Sequence, residues 1–198
     1  MSLIRENDAQ GSLGPYHDGL RTSVVAAWAH WLKVLPEYPL CSRRGRRTNM
    51  NEFIVQEVRS QFGDMVGVNI IETKSGRFLV TVEGIVLLFK HVDVGYKPSN
   101  YPTRESIAFN KQLPLPGVPK GPRLVIGYQL NALETELTGV FVILLKGNNV
   151  MWYYELGKAG GAVIEMFPES PAGPRVVPKR PKESDKKPKK KKTQPSEE

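Results

Sequence analysis

Cysteine is almost absent from this chain: Cys41 is the only one in 198 residues. No intramolecular disulfide can form, and thiolate-rich zinc sites are excluded. This usage fits a reducing cytoplasm, the localisation expected here. Long apolar runs are missing as well. The longest fall far short of the ~20 residues that a membrane span needs. The N-terminal "MSLIRENDAQGSLGPYHDG" is polar and broken by Gly and Pro, so it lacks the apolar stretch of a signal peptide. Histidine is scarce, and His17, His30 and His91 share no matched spacing. There is no internal repeat, no Ser-His-Asp arrangement, no phosphate-binding glycine loop and no zinc spacing. No cofactor and no metal site is expected.

Basic charge is plentiful. Lys and Arg number 28 against 20 Asp and Glu, a net charge of +8. Ten of the 28 and five of the 20 lie from Pro168 onward, which leaves 18 and 15 in the body. The basic character is therefore concentrated in the tail. That tail, "PESPAGPRVVPKRPKESDKKPKKKKTQPSEE", is rich in Pro, Lys and Ser and poor in aromatics. It cannot bury enough surface to offset its ordering entropy, so disorder is expected over 168–198. Lys186, Lys187, Lys189, Lys190, Lys191 and Lys192 can contact phosphates non-specifically. They fit a solubility tail, an acidic partner or an anionic lipid equally well.

The domain organisation follows from pattern. Residues 1–19 are expected as a flexible arm, 20–167 as one domain and 168–198 as the tail. Leu20, Val24, Trp28, Trp31 and Leu35 share helical spacing, and Pro36 and Pro39 end that helix. Trp28 and Trp31 read as core packing rather than as a stacking platform. A second helix is expected from Thr48 or Asn49 to Phe62. Glu52 stands at capping-box spacing from Asn49, and Gly63 marks the stop. Strands are expected over 68–72, 78–82, 85–90, 124–130, 137–145 and 150–156, with "KGNN" as a hairpin turn. The fold class is α+β: two N-terminal helices packed on a largely antiparallel sheet of five or six strands.

Arg43, Arg44, Arg46 and Arg47 surround one glycine just before the second helix. Four guanidiniums beside the N–H groups of a helix N-terminus could hold a phosphate; a solvated basic linker is the plainer reading.

The stretch "NKQLPLPGVPKGPRLVIGY" lies within a connection of about thirty residues, which is long for a loop in a compact domain. Thr103 can cap a short helix from Arg104 to Gln112, with Ile107 and Phe109 docking. "LPLPGVPKGP" then forces an extended path, since proline fixes its own φ and biases its predecessor away from helix. The expected role is a crossover strap anchored by Leu113, Leu115 and Val118, with a binding loop as the alternative.

Several of these positions form a pattern: Phe89-Lys90 at a strand end, Asn100 to Thr103, Phe109 to Gln112, Leu115 to Gly117, Gly127-Tyr128 and Trp152. Over roughly residues 48–156 the pattern resembles a family of small, uncharacterised bacterial proteins. These are similar to toxin–antitoxin or phage-defence components encoded beside a helix-turn-helix repressor or a repressor-peptidase. The resemblance implies a protein partner and a toxic or regulatory role. It supplies no catalytic residues.

Two chemistries compete with that reading. Glu72-Thr73-Lys74 is an E-x-K, with Asp64 upstream and Glu52 and Glu57 on the preceding helix, as in nucleases of the PD-(D/E)xK type. Such enzymes need acidic groups for a divalent metal and a lysine to polarise water. Surface charge beside a hairpin explains the same residues. A metal-free ribonuclease could instead use Tyr96, Tyr101, Arg104 and Lys111 of the long connection to stabilise a phosphorane charge. His91 and Asp93 stand two apart at a strand end, on one face if extended. The function expected first is an intracellular interaction or effector module with non-specific nucleic-acid affinity. A nuclease and a non-catalytic adaptor are the alternatives.

Overall fold

A computed structural model describes residues 3–37, 42–73, 76–99 and 102–157. The expected tail, with Lys186, Lys187 and Lys189 to Lys192, lies outside the described residues, as do Lys74 and Tyr101. The six strands form one sheet in sequence order: β1 (Val68–Glu72), β2 (Phe78–Val82), β3 (Ile85–His91), β4 (Arg123–Leu130), β5 (Leu137–Lys146) and β6 (Asn149–Glu155). Four of the five pairings are antiparallel. The exception is β3 with β4, which run parallel and align His91 with Tyr128. The sheet is therefore mixed, within an α+β fold.

Side-chain alternation decides what each face meets. Val80, Val82, Leu87, Phe89, Ile126 and Val142 face the N-terminal helices and are buried. Leu79, Val86, Leu88, Val125 and Ile143 face the opposite side and are buried too. Covering both faces explains why β3 and β5 read as continuous apolar runs.

Three helices cover the first face, one more than the sequence suggested: α1 (Glu6–Leu13), α2 (His17–Val34) and α3 (Arg43–Phe62). The arm expected over 1–19 thus needs correction. Ala9 and Leu13 of α1 are fully buried, and Ile4 O accepts from Trp152 Nε1 at 3.0 Å. Its apolar residues are too few and too widely spaced to show a stripe. Trp28 and Trp31 lie in the core as expected.

The second face is covered by α4 (Arg104–Asn110) and the proline strap, which returns the chain to the start of β4. Thr103 caps α4 by accepting from Ser106 N. Phe109 is buried, and Leu115 and Val118 pack on the sheet. Ile107 and Leu113, expected as anchors, are exposed instead. Ile107 lies on α4 and Leu113 just after it, while Phe109, Leu115 and Val118 make the contacts with the sheet. Gln112 pins the strap. Its Nε2 donates to Arg123 O at 2.8 Å and Leu145 O at 3.2 Å, and its Oε1 accepts from Arg123 N at 2.8 Å. Among the described residues, no helix is long and apolar enough to cross a membrane.

Candidate functional site

Helix α3 begins at Arg43, several residues before the expected start at Thr48 or Asn49. Ser42 is the N-cap, its Oγ accepting from Gly45 N at 3.1 Å. Thr48 bonds back to Arg44 O instead of capping. The four arginines therefore occupy the first turns of the helix rather than a linker before it. Cations at a helix N-terminus oppose the helix dipole, so this placement needs a compensating charge.

Glu134 supplies that charge. It sits in the β4–β5 connection at φ +54°, with its side chain 8% exposed. Its carboxylate lies 3.0 Å from Arg47, 3.6 Å from Arg46 and 3.9 Å from Arg43. Three of the four arginines expected to meet a phosphate are thus turned towards an internal carboxylate. Arg44 alone makes no such pair and is exposed.

Around this cluster opens a basic cleft. A hollow of about 960 Å³ runs between the start of α3 and the C-terminal ends of β3 and β4, lined by Arg43, Arg44, Asn51, Lys90, His91 and Tyr128 among others. A second hollow of about 490 Å³ shares Asn51 and Lys90 with the first and continues to Arg77, Arg104 and Glu105. The carboxyl ends of parallel strands are a recurrent ligand position in open sheets with helices on both faces. Six cationic side chains line the two hollows: Arg43, Arg44, Arg47, Arg77, Lys90 and Arg104. Glu105, 4.0 Å from Arg77, is the carboxylate among the linings.

The environments of the floor residues differ. Lys90 ends the buried part of β3 and is partly buried. Burial, then the Arg77 charge, lowers its pKa from 10.5. Its side chain makes no hydrogen bond or ion pair among the described residues. His91 packs edge-on against Tyr128, with ring centres 5.5 Å apart, and its Nδ1 is enclosed without a partner. Burial and the Arg47 charge hold its imidazole below the usual pKa of 6.5. Arg77 is largely buried and its Nη1 has no hydrogen-bond partner. Arg104, at the first position of α4, is exposed and unpaired.

The other candidates lie elsewhere. Asp64 is exposed in the turn after α3. Glu72 ends β1 and pairs with Arg59 at 3.4 Å. Neither lines the cleft, and Lys74 of the E-x-K lies outside the described residues. Among the described residues, no three His, Cys, Asp or Glu side chains come together as a metal site. Asp93 does not pair with His91; its Oδ1 accepts from Gly95 N and Lys97 N, shaping its own turn. Tyr96 stacks on Tyr153 at 3.7 Å in the second core layer. Burial and the Tyr153 hydroxyl push its phenol up to about 12. Lys111 follows α4 and lines neither hollow of the basic cleft.

Sequence reasoning did not single out Arg77 or Glu134 and noted Lys90 only within a pattern. The readable signal was Lys90 itself, a cation closing the apolar "IVLLF". Glu134, in "NALETEL", had none. No family model, curated protein or solved structure matches this chain.

Proposed function

We propose that the protein is a bacterial interaction module whose folded body holds a phosphodiester backbone in the basic cleft. The observation that supports this reading is the convergence of the unpaired Arg44, Lys90 and Arg104 on two adjoining hollows that share Asn51 and Lys90, with a single lining carboxylate. Unpaired cations on a concave surface concentrate field and attract polyanions. The guanidiniums of Arg44 and Arg104 suit bidentate contact with phosphate oxygens. The lysine-rich tail adds a second, non-specific contact. In this reading a protein partner controls the module, as the toxin–antitoxin resemblance implies.

Titrating the full chain with a short single-stranded oligonucleotide while following amide and side-chain NMR shifts tests the cleft. Shifts at Arg44, Lys90 and Arg104 are expected. Shifts confined to the lysine tail would sink the reading. Induction of the chain alone in a bacterial host tests the effector role, with growth arrest as the expected result.

A metal-free ribonuclease is the second reading. It is favoured by His91, whose imidazole is held below its usual pKa by burial and the Arg47 charge and lines the cleft near Arg44 and Arg47. RNA cleavage that persists in a chelator and is lost on His91→Gln is its test.

A further inference from the structure

Among the unpaired cations of the cleft, Lys90 stands apart from Arg44 and Arg104, whose side chains are exposed. It rises from β3 two positions from the buried Leu88 and Val92, partly buried and with no carboxylate partner. Its Nζ is not among the enclosed atoms, and its side chain lines both hollows. The charges that face it are mostly cationic. Arg77 stands at the start of β2, Arg104 on α4 and Arg43, Arg44 and Arg47 on α3, with His91 beside it and Glu105 as the carboxylate. Desolvation beside other cations is one of the ways an amine is kept neutral enough to be a nucleophile.

We propose that Lys90 is a carbonyl-reactive amine, and that its substrate class is an aldehyde that also carries a phosphate. The inference rests on the anion-cleft reading above, because the arginines must hold the phosphate while Lys90 meets the aldehyde. In its unprotonated form, Nζ adds its electron pair to the aldehyde carbon. A proton passes from nitrogen to the new alkoxide, giving a carbinolamine. The C–O bond then breaks, water leaves, and a C=N bond forms. Amine and aldehyde become imine and water, with no change of oxidation state. Two sources carry this chemistry: the ring-opened sugar of an abasic site in DNA, and a free pentose phosphate.

The test uses the full chain and sodium borohydride, which reduces an imine to a stable secondary amine. One arm offers an oligonucleotide with a single abasic deoxyribose, the other ribose 5-phosphate. Labelled peptides are then mapped by mass spectrometry. Labelling at Lys90 is expected at least about ten-fold above any other lysine, the tail included. The arm that labels at lower concentration identifies the source. Labelling spread over the tail, or none at Lys90, overturns the proposal. Affinity for the same oligonucleotide without the abasic site is measured in parallel. Tight binding without labelling removes the imine chemistry and leaves the cleft; neither binding nor labelling removes both.

Discussion

Glu134 and the arginines of α3 form a closed account at the level of single residues. One carboxylate with its side chain 8% exposed faces three guanidiniums, two of them about one-third exposed and one largely exposed. Removing a buried partner leaves charges uncompensated, but water reaches these arginines and screens part of the loss. Glu134→Gln is therefore expected to cost about 1–3 kcal/mol in urea unfolding. The same variant frees guanidiniums at the cleft edge, so its oligonucleotide affinity should rise at low salt. A variant that loses stability without gaining affinity would separate the cluster from the cleft. His91 and His17 give a pH prediction. Burial holds both imidazoles below 6.5, so between the folded and unfolded pKa values the unfolded chain binds more protons. Stability should fall as pH drops through about 6.5. Asp93 and Glu134 oppose the shift at His91, and Arg47 reinforces it. His91→Gln should shrink the loss of urea midpoint between pH 7.5 and 5.5, with His17 keeping its share.

Elements were legible to different degrees, for physical reasons. The strand bounds of β1 and β2 read directly from sequence, because β-branched and apolar residues there end at turn residues. The α4 cap and the strap were legible because Thr103 and the prolines act locally. The start of α3 was not. Thr48 and Asn49 offer local caps, but Ser42 and a distant carboxylate in the β4–β5 connection carry the helix two turns further back. The Ser42 cap is local, but the Glu134 charge is a tertiary contact, which no window of sequence contains. Gln112 is a similar case: at φ +59° it links the strap to β4 and β5 through three hydrogen bonds. Gln112→Ala leaves Arg123 N and two carbonyls without those partners. An expected cost of about 2–4 kcal/mol follows, read as a lower urea midpoint at unchanged m-value. A loss within ±0.5 kcal/mol, the usual range for surface substitutions, would mean that the strap is held by its apolar anchors alone.

The whole molecule places its cations by topology. Because β3 and β4 run parallel, their carboxyl ends open at the same edge, and α3 and α4 flank that edge from opposite faces. Arg44, Arg77, Lys90 and Arg104 lie as many as sixty residues apart in the chain and line two adjoining hollows that share Asn51 and Lys90. Sequence spacing could show the arginine run and the strand-end lysine but not their meeting. It also pointed to Asp64 and Glu72, which lie away from this cleft. The central claim is that the cleft, and not the tail alone, binds a phosphate backbone. Its most direct test is the salt dependence of binding to a labelled single-stranded oligonucleotide, for the full chain and for the double variant Arg44→Ala, Arg104→Ala. The tail is identical in both. Without these two guanidiniums on the phosphates, the slope of log K against log salt should flatten by about 1.4, and affinity should fall about ten-fold or more at low salt. Coincident slopes and affinities would contradict the claim and assign the binding to the tail.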